Sequence, residues 1–332
     1  MELQKRKLLS LVGLFILVAA MMGGCGGAPP EANQGHGAEL ASLEPVALGS
    51  GEKLQVVATT NILGDVVGQI GGEQIALTTL MEAGIDPHSY VPTPADTAAI
   101  HDAHVFFANG AGLETGLEEM FKSAGGSAIQ IHVSDDLAHR LTGDLFEEAG
   151  QELAHDDENL DPHAWFDVQN VMQWVETIEQ TLSALDPANA ATYRANAAAY
   201  TAELEELDAW VAEQVATIPE ANRKLVTNHP AFGYLANRYG LEQVGAVYPI
   251  SPSAEPSARD IAALEDAIRQ HGVPAVFTES TVNPKLAQQV AQDTGVALVA
   301  LYSGSLGEPG SGVESYIALI RYDVKAIVEA LK

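Results

Sequence analysis

Three of the ten histidines in this chain sit where a metal ligand would need to sit. Asp86-Pro87-His88 and Asp161-Pro162-His163 are the same tripeptide used twice, and Asn228-His229-Pro230 closes a short apolar run. Proline fixes its own φ and restricts the residue before it, so each imidazole is projected from a stiff turn. Taken singly, each reads as an ordinary turn histidine. Taken together, three such turns at strand ends describe a three-nitrogen site. Imidazole suits zinc, copper, nickel and iron, whereas manganese and calcium prefer more oxygen.

The other histidines carry less. His101 and His104 flank the end of a helix, and His132 ends a strand, all without a rigid turn. His271 precedes Gly272 and reads as a C-terminal cation on a helix. His139 and His155 bracket an acidic loop over 140–160, read as solvated, and His36 lies in a linker. Competing chemistries lack their signatures: there is no G-x-x-x-x-G-K-[ST] phosphate loop, no G-x-S-x-G elbow and no H-E-x-x-H protease motif.

The elements that must position these turns alternate in type. Strands are expected over 53–58, 75–81, 105–107 and 128–133, with helices over 62–70, 95–102 and 112–122 between them. The plan repeats with strands over 224–227, 243–248, 275–278 and 296–301 and helices over 231–239, 257–271, 284–294 and 312–331. Such alternation implies parallel pairing with covered sheet faces. Between the halves, 168–185 is apolar at a 3.6-residue period. Asp186-Pro187 then reads as the N-cap and first turn of a helix running to about 217, about 31 residues and about 46 Å long. The expectation is two α/β lobes, each with a mostly parallel four-stranded sheet flanked by helices, joined by a long rigid helix. The boundaries are an N-terminal lobe over 53–185, the interlobe helix over 186–218 and a C-terminal lobe over 219–332. Ligands bind beyond the carboxyl ends of parallel strands, which places the site in the cleft between the lobes.

Composition narrows the partners. The chain has 332 residues, 47% of them hydrophobic, and a net charge of −29. An acidic surface argues against nucleic acid and suits a cation. The single cysteine, Cys25, excludes a disulfide framework and cysteine-based clusters. Lys5, Arg6 and Lys7 precede an apolar run over 8–20, too short to span a bilayer but shaped like a signal peptide. Residues 1–24 read as that leader. Met22-Gly23-Gly24-Cys25 resembles a lipobox, which makes Cys25 the expected lipidation site and membrane anchor. Residues 25–52, rich in Gly, Pro, Ala, Glu and Ser, read as a flexible stalk.

These motifs together resemble one family, the metal-binding lipoproteins of zinc and manganese ABC importers. The carrying segments are Thr59-Thr60-Asn61-Ile62-Leu63-Gly64-Asp65, the Gly84-to-Tyr90 run around His88, and Asp161-Pro162-His163-Ala164-Trp165-Phe166-Asp167. They continue with Asn228-His229-Pro230-Ala231-Phe232-Gly233-Tyr234 and Ala254-Glu255-Pro256-Ser257. The resemblance covers nearly all of 53–332. It implies that His88 and His163 are ligands from the N-terminal lobe, and that His229 stands where zinc-type members carry His and manganese-type members Glu. A fourth ligand, an Asp in many members, aligns with Gly304 here, leaving water, or a displaced carboxylate such as Glu308 or Glu314. Glu279, at the end of a strand facing the same cleft, is a candidate acceptor for the second nitrogen of a bound imidazole.

The expected function is an extracytoplasmic receptor, anchored to the cell membrane, that captures zinc and delivers it to an ABC permease and its ATPase. Manganese or another divalent metal is the alternative cargo. A secreted zinc enzyme is a further alternative, since three histidines and an open position also describe catalytic zinc. The absence of a general base beside the ligands counts against an enzyme.

Overall fold

The computed structural model describes residues 43–114, 117, 120, 121, 125–142, 160–248 and 256–332. The leader, Cys25, His36, most of the stalk, His155 with the acidic residues of its loop, and Glu255 lie outside the described residues.

Two sheets of four parallel strands form the body. The first contains β1 (Leu54–Ala58), β2 (Ile75–Thr79), β3 (Val105–Ala108) and β4 (Ile129–His132), in the order β2-β1-β3-β4. The second contains β5 (Lys224–Thr227), β6 (Glu242–Ala246), β7 (Ala275–Glu279) and β8 (Ala297–Leu301), in the order β6-β5-β7-β8. The two lobes thus share one winding. In each, strand order reverses between the two central strands, β1 and β3 or β5 and β7. That reversal opens a crevice at their carboxyl ends. β3 and β7 are buried along their whole length, as central strands covered on both faces must be.

Helices α1 (Asn61–Gly71), α2 (Pro94–Asp102), α3 (Val168–Leu185), α4 (Ala190–Ala216), α5 (Gly233–Tyr239), α6 (Ala258–His271), α7 (Lys285–Thr294) and α8 (Tyr316–Leu331) cover the sheets. Their starts follow local chemistry. The Thr60 hydroxyl accepts the Leu63 N–H to begin α1, and Thr93/Asp96 and Ser257/Asp260 form reciprocal capping boxes on α2 and α6. Gly272, at φ +62°, ends α6 directly after His271.

α4 is the spine of the molecule. Its buried residues Tyr193, Ala197, Tyr200, Leu204, Leu207, Val211 and Val215 recur every three or four positions along one face. That stripe belongs to a single core that also takes in Val56 and Ile62 of the N-terminal lobe and Phe277 and Leu319 of the C-terminal lobe. One packed stripe therefore ties both lobes to one rod.

The helix differs from the sequence expectation at its start. Asp186-Pro187 carries the usual N-terminal signal, yet α4 begins at Ala190 and has 27 residues. The Asp186 carboxylate is committed elsewhere: it accepts from Asn189 Nδ2 at 2.7 Å and Tyr193 O–H at 2.8 Å. Its backbone ends α3, with its N–H on Leu182 O. The last part of the segment expected to be a stalk is packed. Leu43, Val46 and Leu48 pack against the core, and Val46 N–H donates to Leu185 O at 2.8 Å.

Candidate metal centre

Three turns converge on the cleft. The 3-10 turn Pro87–Ser89 follows β2 and carries His88; Asp86 starts it by accepting the His88 N–H at 3.1 Å. His163 precedes the 3-10 turn Ala164–Phe166, and its N–H donates to Asp161 Oδ1 at 3.0 Å. The repeated Asp-Pro-His thus folds as the same device twice, an aspartate capping the N–H two residues on. His229 sits just beyond β5, at the crevice of the second sheet, where the Thr227 hydroxyl donates to His229 O at 2.7 Å.

The imidazoles meet through their Nε2 atoms. His163 Nε2 lies 3.0 Å from His88 Nε2 and 3.1 Å from His229 Nε2. Ring centroids stand 5.0 to 5.4 Å apart. Among the described residues this trio alone groups as a set able to hold a metal ion, and no carboxylate joins it. His163 and His229 are buried, and His88 is half-buried.

The far sides of the rings determine what the near sides can do. His163 Nδ1 is 2.7 Å from Asp161 Oδ1, and His229 Nδ1 is 2.7 Å from Glu279 Oε2. Glu279 Oε1 also accepts the His229 N–H at 2.9 Å. A carboxylate at Nδ1 holds the proton there and turns the Nε2 lone pair inward. Lone pairs converging at 3.0 to 3.1 Å repel unless a proton or a metal ion lies between them. Nitrogens bound at about 2.0–2.1 Å to one tetrahedral ion would lie about 3.3–3.4 Å apart. The His163–His88 and His163–His229 separations are within a few tenths of an ångström of that spacing.

Proton affinities diverge accordingly. Burial, then the neighbouring His163 and His229, push His88 down to about 3. Burial drives His163 well below the usual histidine range. Burial alone would lower His229 too, but the Glu279 carboxylate outweighs it and raises the imidazole. Burial lifts Asp161 to about 7. Glu279 stays low, since the charge of His229 overcomes its burial. In the ion-free cluster, then, His88 and His163 favour the neutral ring, while His229 holds a proton more tightly than an ordinary imidazole.

The remaining histidines are placed elsewhere. His104 Nδ1 accepts the Gln55 N–H at 2.9 Å, His101 pairs with exposed Asp102, and His132 contacts Asp135 at 2.9 Å. Glu314 accepts the Gly310 N–H within its own exposed loop, and Glu308 is exposed. At position 304 a Cβ would lie 2.7 Å from Pro87 Cδ, so the backbone there has no room for a side chain.

Several partners of the site carried no separate signal in the sequence. Asp161 could have been assigned from its tripeptide, as the cap it provides is local. The Trp165 ring stands edge-on to His163 at 5.3 Å while its Nε1–H donates to Ser303 O at 3.0 Å. Asn109 Nδ2 donates to Pro162 O at 3.0 Å, and buried Glu114 holds the Asn109 and Gly110 N–H groups.

The chain matches the family described as "Zinc-uptake complex component A periplasmic" (ZnuA) over residues 56–330. It belongs to that family. It is 34% identical over 283 residues to the manganese-binding lipoprotein MntA of Halalkalibacterium halodurans, covering 85% of this chain and 89% of that protein. It is 32% identical over 283 residues to the manganese ABC transporter substrate-binding lipoprotein PsaA of Streptococcus pneumoniae, covering 85% and 90%. Among solved structures, the periplasmic zinc-binding protein TroA of Treponema pallidum superposes with a TM-score of 0.75 at 30% identity, covering 84% of this chain and 99% of that one. The two parallel four-stranded sheets flanked by helices are the fold of these receptors.

Proposed function

We propose that this chain is the zinc-capturing receptor of an ABC importer, with His88, His163 and His229 as the ligands of the ion. Membership of the family supports the coarser part of this reading. The chain is a metal-binding solute receptor and not an enzyme, and it works on the extracytoplasmic side with a permease and its ATPase. Cys25 is the residue through which a lipid anchor would hold it at the membrane.

The observation that carries the choice of zinc is the donor set. Three imidazole nitrogens converge with no carboxylate oxygen among them. Zinc lies well above manganese in the order of affinities for such nitrogens, and manganese prefers oxygen. Glu279 acts through His229, fixing which nitrogen carries the proton, and Asp161 does the same for His163. With three protein ligands, a water completes the tetrahedron.

Manganese is the second reading, favoured by the names of relatives such as those of Halalkalibacterium and Streptococcus. Competition titration of the purified chain with zinc and manganese separates the two. Tighter zinc binding is the expected result; tighter manganese binding would overturn the choice of cargo and leave the receptor role standing.

A further inference from the structure

His88 differs from the other two imidazoles in how it is held. His163 and His229 each have a carboxylate at Nδ1 supplied from their own lobe. Among the described residues no carboxylate reaches His88 Nδ1, and the Asp86 contact is to the backbone. What braces the His88 turn comes from the opposite lobe. The buried stretch 303–306, just after β8, lies directly against it. Gly304 is so close that a Cβ would stand 2.7 Å from Pro87 Cδ and 3.2 Å from Cγ. Ser305 Oγ accepts the Gly84 N–H at 2.8 Å and Asn61 Nδ2–H at 2.9 Å. Asn61 Oδ1 in turn accepts the Leu306 N–H at 2.9 Å.

The same stretch is anchored to the other half of the cluster. Leu301, two residues before Ser303, is the register partner of Glu279, whose carboxylate holds His229. Ser303 O takes the indole N–H of Trp165, which stands against His163. One short segment is therefore in contact with the surroundings of all three imidazoles.

We propose that residues 303–306 are the positioning element for His88, with Gly304 and Ser305 setting from across the cleft where the third imidazole stands. This rests on the three-histidine reading above. Gly304 acts by lacking a side chain: the backbone seats on the Pro87 ring, and the turn that carries His88 is fixed against it. Ser305 acts by pinning Gly84, at the start of the same loop, to the neighbouring Asn61.

The test is a double-mutant cycle on the full chain, read as zinc affinity, with Gly304→Ala, Pro87→Ala and the pair. An added Cβ that collides with Pro87 displaces His88, and misplacing a ligand's support typically costs about 10–100-fold in affinity. Gly304→Ala is expected to lose at least about 10-fold within that range, in a protein whose ion-free form still unfolds cooperatively. Pro87→Ala removes the atoms it would strike, so in that background the second substitution should cost almost nothing. Ser305→Ala is expected to weaken zinc in the same direction. The proposal is overturned if Gly304→Ala binds zinc like the wild type, or if it costs as much with Ala at 87 as with Pro. His163→Ala is measured alongside. If it too keeps wild-type affinity, the three-histidine reading falls with the proposal; if it abolishes binding while Gly304→Ala is neutral, only the proposal falls.

Discussion

Asp161-Pro162-His163 and Asp86-Pro87-His88 are the same three residues in two settings. In the first, the aspartate accepts both the backbone N–H and the ring Nδ1–H, Asp161 and His163 are buried, and Trp165 and Asn109 contact the turn. In the second, the aspartate caps the backbone only, the ring is half-buried, and support comes from a segment more than 200 residues further along the chain. The tripeptide therefore specifies a projected histidine, not a positioned one. Position comes from what packs on the turn. His163 is the centre of the cluster, contacting both other imidazoles, and in the proposed site His88 is the ligand whose place contacts from the second lobe set.

The largest effect should come from removing that centre. His163→Ala is expected to reduce zinc affinity by more than about 100-fold, the upper end for loss of a mere supporting partner. His229→Ala should follow closely, as it is the sole ligand in this reading from the second lobe. Calorimetric titration measures both. If His88→Ala proved costlier than His163→Ala, the assignment of centre and follower would be reversed.

The two aspartates give a sharper contrast. Asp161→Asn weakens the acceptor at a ring nitrogen, and about 10–100-fold in zinc affinity is expected. Asp86→Asn keeps an oxygen for the backbone N–H, since Asn caps about as well as Asp, so a change within about threefold is expected. Equal losses for the two would mean that the settings do not matter. Glu279→Gln belongs with Asp161→Asn, because it too supports a buried imidazole.

Acidity probes the same asymmetry. Metal needs the deprotonated cluster, so affinity falls as pH falls through the affinities of the groups that still hold protons. Burial pushes His88 to about 3 and His163 well down, so those rings are neutral already. Protons remain on His229, raised by Glu279 despite its burial, and on Asp161, lifted by burial to about 7. Below about pH 6.5 the loss should run at about one to two log units of affinity per pH unit, not the three that equal, independent histidines would give. A slope of three, or a flat response, in affinities measured from pH 7.5 to 5 would contradict this.

The smallest effects should fall outside the cluster. His101→Ala and His132→Ala should leave zinc affinity within about twofold, as their partners are local carboxylates.

What the sequence discloses follows from range. β5, α3 and the three converging histidines were legible because a strand's apolar run, a helix's period and a proline-stiffened turn are written in neighbouring residues. Glu279 was legible as a carboxylate ending a strand that faces the cleft. The start of α4 misled because two local demands compete for Asp186, and the buried bonds to Asn189 and Tyr193 prevail over the cap. The bracing of His88 was not legible at all. Asn61 and Ser305 are 244 residues apart, and nothing in either neighbourhood marks the other. Gly304 looked like a missing ligand; in the fold it is a close contact.

In the proposed site one ion is held by three imidazoles with no protein carboxylate. X-ray absorption at the zinc edge of the zinc-loaded chain reads that shell directly. Three imidazoles, counted by the multiple scattering of their rings, with nitrogens at about 2.0–2.1 Å and one water oxygen are expected. A shell dominated by oxygens, or fewer than three imidazoles in the wild-type protein, would contradict it.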